Sequence, residues 1–224
     1  ELIHFESSPL TPIESIQKVI DLARILARYT PLGYIKLHVV PFVKIHEKIL
    51  DKVFDPYMIT IMRRMMYRIA EGFANLQKIP CMINGESVGQ VASQTLLSMR
   101  VVEKVTSLPI LRPVVTYDKL DIIRIAEDMG TFDISIRPFN DCCSVYVPKQ
   151  PVTKPMEVYA RKYENTFDYQ VMIEEAINAI NTIIIDRDST LEIDRYGLTF
   201  EEALKGLLQE KSDVIDYVQA KPKI

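Results

Sequence analysis

The 224 residues include no tryptophan, three cysteines, three histidines and seven glycines. Each scarcity excludes something. Cys81, Cys142 and Cys143 show no CxxC spacing, which argues against both a secreted disulfide framework and a structural zinc site. His4, His38 and His46 fall at no metal-ligand spacing, so no metal site is expected. No apolar run approaches the roughly 18–20 residues of a helical membrane span, and no membrane partner is expected. The N-terminus carries no signal-peptide pattern, which makes the cytoplasm the expected compartment. The glycine content is about half the average of roughly 7%. Glycine-rich loops commonly cradle phosphate, so composition alone points away from a nucleotide enzyme. Residue 1 is Glu rather than Met, which reads as a piece of a longer chain.

What is present is a globular balance of 48% hydrophobic and 25% charged residues with a net charge of −3. That balance excludes a disordered chain and argues against a wholesale nucleic-acid-binding surface. Short apolar runs alternate with helical periodicity, the pattern of an α/β domain. Leu2–Phe5 reads as a strand. Thr11, Pro12 and Glu14 then look like a capping box that opens a helix whose stripe runs from Ile13 to Ala27. Tyr34–Val40 is a second strand, Tyr57–Gln77 a long helix and Cys81–Asn84 a third strand. A helix over Val88–Met99 is expected next, then an extended Leu108–Val115, then a helix after Thr116 that stops at Gly130. This order favours a mostly parallel sheet with helices on both faces.

Beyond Ile136, Pro138, Pro148, Pro151 and Pro155 fence an extended loop around Cys142 and Cys143. A helix over Asp168–Ile180 follows. From Ile183 the chain carries nine acidic and six basic residues and reads as a peripheral acidic extension, with an amphipathic helix near Phe200–Leu208.

Three places could carry chemistry. At the carboxyl end of the third strand, Gly85 leads into the expected helix, where Ser87, Gln90 and Gln94 form an uncharged amide face. Strand ends and helix N-termini of this kind suit anionic ligands, though a surface helix using glutamine would look the same. Arg63 stands off the apolar stripe of the long helix and could grip phosphate or simply be solvated. Tyr57–Lys119 holds eight basic and four acidic residues, a mild local excess that fits an anionic ligand. The third place is Asp141-Cys142-Cys143-Ser144. Adjacent cysteines are poorly placed to bridge each other, so an exposed one with a cation nearby could act as a nucleophile. Lys149 and Lys154 are cations near in sequence. Incidental loop thiols are the bland alternative.

Gly85-Glu86-Ser87-Val88-Gly89-Gln90-Val91-Ala92-Ser93-Gln94 resembles the ThiI family of tRNA 4-thiouridine synthases (tRNA sulfurtransferases). So do Met62–Met66, Leu108–Pro113, Asp133–Pro138 and Asp141–Cys143, and the likeness continues through Pro151–Pro155. The motifs occur in order over residues 1 to about 182. The resemblance implies an adenine-nucleotide α-hydrolase-like, Rossmann-like PP-loop domain over 1–182, followed by the extension 183–224. It implies that ATP, with Mg2+, activates O4 of uridine-8 in tRNA and that a persulfide then delivers sulfur to give 4-thiouridine. Sulfur transfer for thiamine thiazole synthesis is implied as a second role.

By the same resemblance His4 and Phe5 would lie at the adenosine, with Arg63, Gly85 and Gln94 completing the nucleotide contacts. Cys143 would be the sulfur-handling catalytic cysteine, ahead of Cys142. The implied partners are tRNA, a cysteine desulfurase, a thiamine sulfur-carrier protein and a second copy of the chain in a homodimer. The family's SGGxDS loop and first strand, its THUMP half and any rhodanese domain are not found among these residues. The expectation is therefore the C-terminal portion of a rhodanese-less member, or a degraded remnant of one. A non-catalytic fragment that mediates dimer or protein contacts, and another PP-loop tRNA thiolase, are the alternatives.

Overall fold

The computed structural model describes residues 1–145, 148, 150–210 and 218–219. Lys149 lies outside the described residues. In chain order the elements are β1 (Leu2–Glu6), α1 (Glu14–Ala27), β2 (Tyr34–Pro41), α2 (Val43–Lys52), α3 (Met58–Gln77), β3 (Met82–Ile83), α4 (Leu96–Glu103) and β4 (Ile110–Leu111). They continue as α5 (Lys119–Asp128), α6 (Phe132–Ser135), α7 (Cys142–Val145), α8 (Glu157–Glu164), α9 (Tyr169–Asn178), β5 (Asn181–Asp186), α10 (Phe200–Glu210) and β6 (Val218–Gln219). The chain divides into two compact units. One comprises Glu1–Val43, Arg124–Val145 and Asn178–Ile224; the other comprises Lys44–Ile123 and Tyr146–Ile177.

The first unit is built on a sheet of order β1-β2-β5-β6. β1 and β2 run parallel, with Leu2 opposite Leu37 and Glu6 opposite Pro41. β5 joins the other edge of β2 antiparallel, Tyr34 facing Asp186 and Val39 facing Asn181. α1 lays Ile13, Ile16, Ile20 and Ala23 against Leu37, Val39, Ile183 and Ile185, and Ile193, Phe200 and Ala203 close the same core. Burying side chains of this size supplies about 1.5–3 kcal/mol each.

The second unit is centred on α3, whose Ile61, Met62, Met65, Ile69 and Phe73 are buried. α4 and α8 pack on this helix, and β3 pairs in parallel with β4, Met82 opposite Ile110. α3 ends where Lys78 takes a left-handed conformation (φ 59°) and caps the carbonyls of Ala74 and Asn75. The α/β class and the parallel β1–β2 and β3–β4 pairs agree with a Rossmann-like PP-loop fold, while β5 and β6 add antiparallel strands.

Four local expectations change. α1 starts at Glu14 with no side-chain cap, because Thr11 is buried and its N–H goes to the Ser7 carbonyl instead. No helix spans Val88–Met99. Gly89 sits at φ +83°, Val91 is extended, and after one 3-10 turn at Ala92–Gln94 the helix begins at Leu96. Thr95 wins the capping role, its hydroxyl accepting the Ser98 N–H at 3.1 Å. The proline-fenced loop is interrupted by one helical turn at Cys142–Val145. The segment from Ile183 is not peripheral: Ile183 and Ile185 alternate inward on β5 and fill the first core, so a boundary at 182/183 falls inside a strand.

Candidate functional site

In the second unit, the loop that leaves β3 gathers three of the expected residues. Arg63 projects from α3, and its Nη1 donates to the Ser93 carbonyl at 2.5 Å. Its other terminal nitrogen pairs with Glu86, which is buried. Gln94 folds back so that its Oε1 accepts the Ser87 N–H at 3.3 Å. Gly85 has open space where a side chain would point, since a Cβ there would meet nothing within 4 Å. The amide face expected from Ser87, Gln90 and Gln94 does not form, because these residues lie on a loop and a 3-10 turn rather than on one helix.

Glu86 is the hub of this loop. Its carboxylate accepts from Arg112 Nε at 2.8 Å, from Asn84 Nδ2 at 2.9 Å and from the Tyr67 hydroxyl at 3.3 Å. Arg112 continues to Glu103 at 2.8 Å. Ser87 Oγ donates to the Tyr117 carbonyl and Val88 N–H to that of Val115, which ties the loop to the chain beyond β4. Two guanidinium groups are thus held at fixed positions by one buried carboxylate. Sequence reasoning missed Glu86 and Arg112 as a pair because 26 residues separate them; their places inside two recurrent motifs were the only signal.

In the first unit, His4 lies within β1. Burial holds its imidazole pKa down at about 4, with Asp141 opposing and Lys18 reinforcing the shift, so His4 is neutral at pH 7. Its buried Nε2 has no hydrogen-bond partner among the described residues, and neither does the buried Ser7 Oγ. Phe5 meets Phe42 edge-on at 5.5 Å. Glu6 is buried and its carboxyl is pushed up by burial, although the Ser8 N–H and hydroxyl both donate to it, at 2.8 and 2.7 Å.

The same unit holds both members of the cysteine pair on the single turn of α7. None of the three cysteines is in a disulfide. Cys142 is 7% exposed and Cys143 half-buried. The Cys142 thiol is driven upward by its hydrogen bond with Cys143 and by burial, so it remains protonated at neutral pH. Cys143 is the accessible sulfur. Preceding the turn, Lys18 Nζ donates to the Phe139 carbonyl at 2.9 Å and lies 3.7 Å from Asp141, while Arg137 pairs with Asp21 on the same helix as Lys18. Lys154 is exposed and belongs to the second unit. Among the described residues no group of three or more His, Cys, Asp or Glu is placed to hold a metal ion.

His4, Phe5, Cys142 and Cys143 therefore share the first unit, and Arg63, Gly85 and Gln94 share the second. The sequence also matches the family model described as thiamine biosynthesis protein (ThiI) over residues 1–169. A probable tRNA sulfurtransferase of Acholeplasma laidlawii is 58% identical over 210 residues, which is 94% of this chain and 51% of that protein. The fold is similar to a crystal structure of a 4-thiouridine synthetase–RNA complex with bound ATP, with a TM-score of 0.77 and 33% identity. That likeness covers 82% of this chain and 48% of the other. The chain spans about half the length of these relatives.

Proposed function

Since the chain belongs to the ThiI family, we propose that the protein containing it transfers persulfide sulfur to uridine-8 of tRNA, giving 4-thiouridine at the expense of ATP. The observation that carries this reading is the cysteine turn: Cys143 accessible, and its neighbour Cys142 buried and protonated. The similar structure is a 4-thiouridine synthetase–RNA complex with bound ATP, which supports both the nucleotide and the nucleic-acid partner.

The residues present fit a nucleotide. The unsatisfied His4 Nε2 and Ser7 Oγ are polar atoms in want of a partner, and the open space at Gly85 allows a ligand to approach the backbone there. His4 and Phe5 would contact the adenosine. Within the second unit, taken by itself, Arg63, Gly85 and Gln94 keep the nucleotide-binding role that the family likeness gives them, and Mg2+ would accompany the phosphates. ATP, when bound, supplies the adenylyl group that turns O4 of the uridine into a leaving group. The chain's own part is to keep His4 neutral, so that it accepts or donates one hydrogen bond without adding charge, and to hold Arg63 against Glu86 and the Ser93 carbonyl. Cys143 carries the sulfur as a persulfide, whose terminal sulfur attacks C4 of the uracil as the activated oxygen departs with AMP. A reducing thiol then attacks the Cys143 sulfur and breaks the S–S bond, which leaves the outer sulfur on C4 and Cys143 in a mixed disulfide that a second thiol reduces.

A cysteine desulfurase is the sulfur source in this reading, and the working form is a cytoplasmic homodimer. Among the described residues no helix is long and apolar enough to cross a membrane. Delivery of sulfur to a thiamine sulfur-carrier protein is a second reading, favoured by the description of the matching family. The test is mass spectrometry of tRNA nucleosides made with the full-length protein. Cys143→Ser should abolish 4-thiouridine and Cys142→Ser should retain it; continued thiolation by Cys143→Ser would sink the assignment.

A further inference from the structure

α1 is buried on both sides. Its apolar stripe fills the core of the first unit, yet Gln17 and Lys18 on the opposite side are also buried, Lys18 to 8% exposure. A lysine removed from water is costly unless its ammonium is satisfied. Lys18 is satisfied by the segment that leads into the cysteine turn: the Phe139 carbonyl at 2.9 Å and the Asp141 carboxylate at 3.7 Å. One turn further along the helix, Asp21 takes Arg137 from the same segment. Gln17 and Arg24 bind the Leu191 carbonyl at 3.1 and 3.0 Å, a different stretch of chain, so Lys18 and Asp21 are the groups on this polar face that hold residues 137–141.

We propose that Lys18 is a positioning residue for sulfur transfer, fixing the Phe139–Asp141 segment so that the α7 turn presents Cys143 and keeps Cys142 inside. The proposal rests on the reading of Cys143 as the sulfur carrier. Two physical effects act together. The bond to the Phe139 carbonyl sets where the turn begins, and the ammonium partly neutralises Asp141, whose carboxylate lies beside the thiol pair and raises the Cys142 pKa. Without Lys18 the segment keeps the Arg137–Asp21 pair to α1, and the Asp141 charge acts on the Cys142 thiol uncompensated. Asp141 is itself well exposed, so its pairing with Lys18 contributes little stability of its own. The part-buried bond to the Phe139 carbonyl is the anchor.

The experiment uses the full-length protein with Lys18→Met, Lys18→Gln and Lys18→Arg, read by 4-thiouridine formation and by the pH profile of Cys143 alkylation located by peptide mass spectrometry. Lys18→Met should lower the turnover rate on the order of 10- to 100-fold, the cost of a small misplacement of a reacting group. The midpoint of Cys143 alkylation should move up in pH, since a carboxylate without its counter-charge beside the turn opposes a thiolate. Lys18→Arg, which keeps the charge and the donor, should restore most of both. If Lys18→Met fails to fold, Lys18→Gln carries the same two expectations. An unchanged rate and alkylation profile in the folded variant, or no recovery with Lys18→Arg, overturns the role given to Lys18. Cys143→Ser separates the two levels: if it still makes 4-thiouridine, the sulfur-transfer reading falls; if it is inactive while Lys18→Met is fully active, only the positioning role falls.

Discussion

Glu164 offers the sharpest test of how the second unit is held together. Its carboxylate, 2% exposed, receives Arg64 at 2.5 and 3.0 Å and Arg68 at 2.7 and 3.1 Å. The two arginines are not equivalent. Arg68 is partly exposed and stacks 4.7 Å over the Tyr169 ring, so water and the ring would still support it without Glu164. Arg64 is 2% exposed and would keep, among the described residues, the Val101 carbonyl. The cost of Glu164→Ala is therefore mostly one stranded guanidinium, about 3–5 kcal/mol. Replacing both partners, Arg64→Met with Glu164→Leu, removes the charges together and should come out near neutral.

Urea unfolding of Arg64→Met, Glu164→Leu and the double variant gives the coupling energy, expected to be several kcal/mol. Additive singles, or a Glu164→Ala loss below about 1 kcal/mol, would show that this network does not hold the second unit together. The pH dependence has a definite sign. Burial alone would raise the Glu164 carboxyl, but the hydrogen bonds and charges of Arg64 and Arg68 outweigh it and hold it below its ordinary 4.5. Its contribution is therefore complete above pH 4.5 and is lost as pH falls through the depressed folded value. Glu164→Gln should flatten stability in that acid range.

At neutral pH, alkylation should label Cys143 well before Cys142, whose thiol is raised by its bond to Cys143 and by burial; peptide mapping that found Cys142 first would contradict this. His4, depressed to about 4 chiefly by burial, contributes stability above its ordinary 6.5 that is lost as pH falls from there towards 4. His4→Asn should remove that slope, on the order of 2–3 kcal/mol, in urea titrations at stepped pH, and an unaltered slope would place it elsewhere. Gly197→Ala would drive a methyl to 2.7 Å from Glu202 Cβ and 2.8 Å from the Ala203 nitrogen. A loss of about 1–3 kcal/mol is expected, and a neutral melting curve would be the contrary result.

Several elements were legible because local chemistry decides them. Ile61, Met65 and Ile69 recur at helical spacing and α3 follows, and Gly130, at φ +72°, sits where the stop of α5 was expected. Val88, Val91, Ala92, Thr95 and Met99 recur at the same kind of spacing without forming a helix. There, tertiary ties from Ser87 to Tyr117 and from Val88 to Val115 hold the loop, and Thr95 offers a better start. The tail was misread for a different reason. Its charge count is real, but Ile183 and Ile185 bury through a pairing with β2 that lies about 150 residues back and leaves no local signature, and Phe200 and Ala203 of α10 close the same core. The motif residues Arg63 and Gln94 were found, while Glu86 and Lys18, which organise their surroundings, look in sequence like ordinary surface charges.

β5 also has a consequence for synthesis on the ribosome. The strand that pairs with β2 is translated long after it, and the α10 residues that close the same core come later still. Contacts of such large sequence separation form slowly, and an unpaired strand edge is open to wrong partners while it waits. A nascent chain that has not reached Asn181 would present β2 half-paired, with the α1 stripe short of its cover. Late truncations should therefore be felt first in β1 and β2, made long before the missing segment, as chaperone dependence and aggregation during expression rather than as loss of a tail.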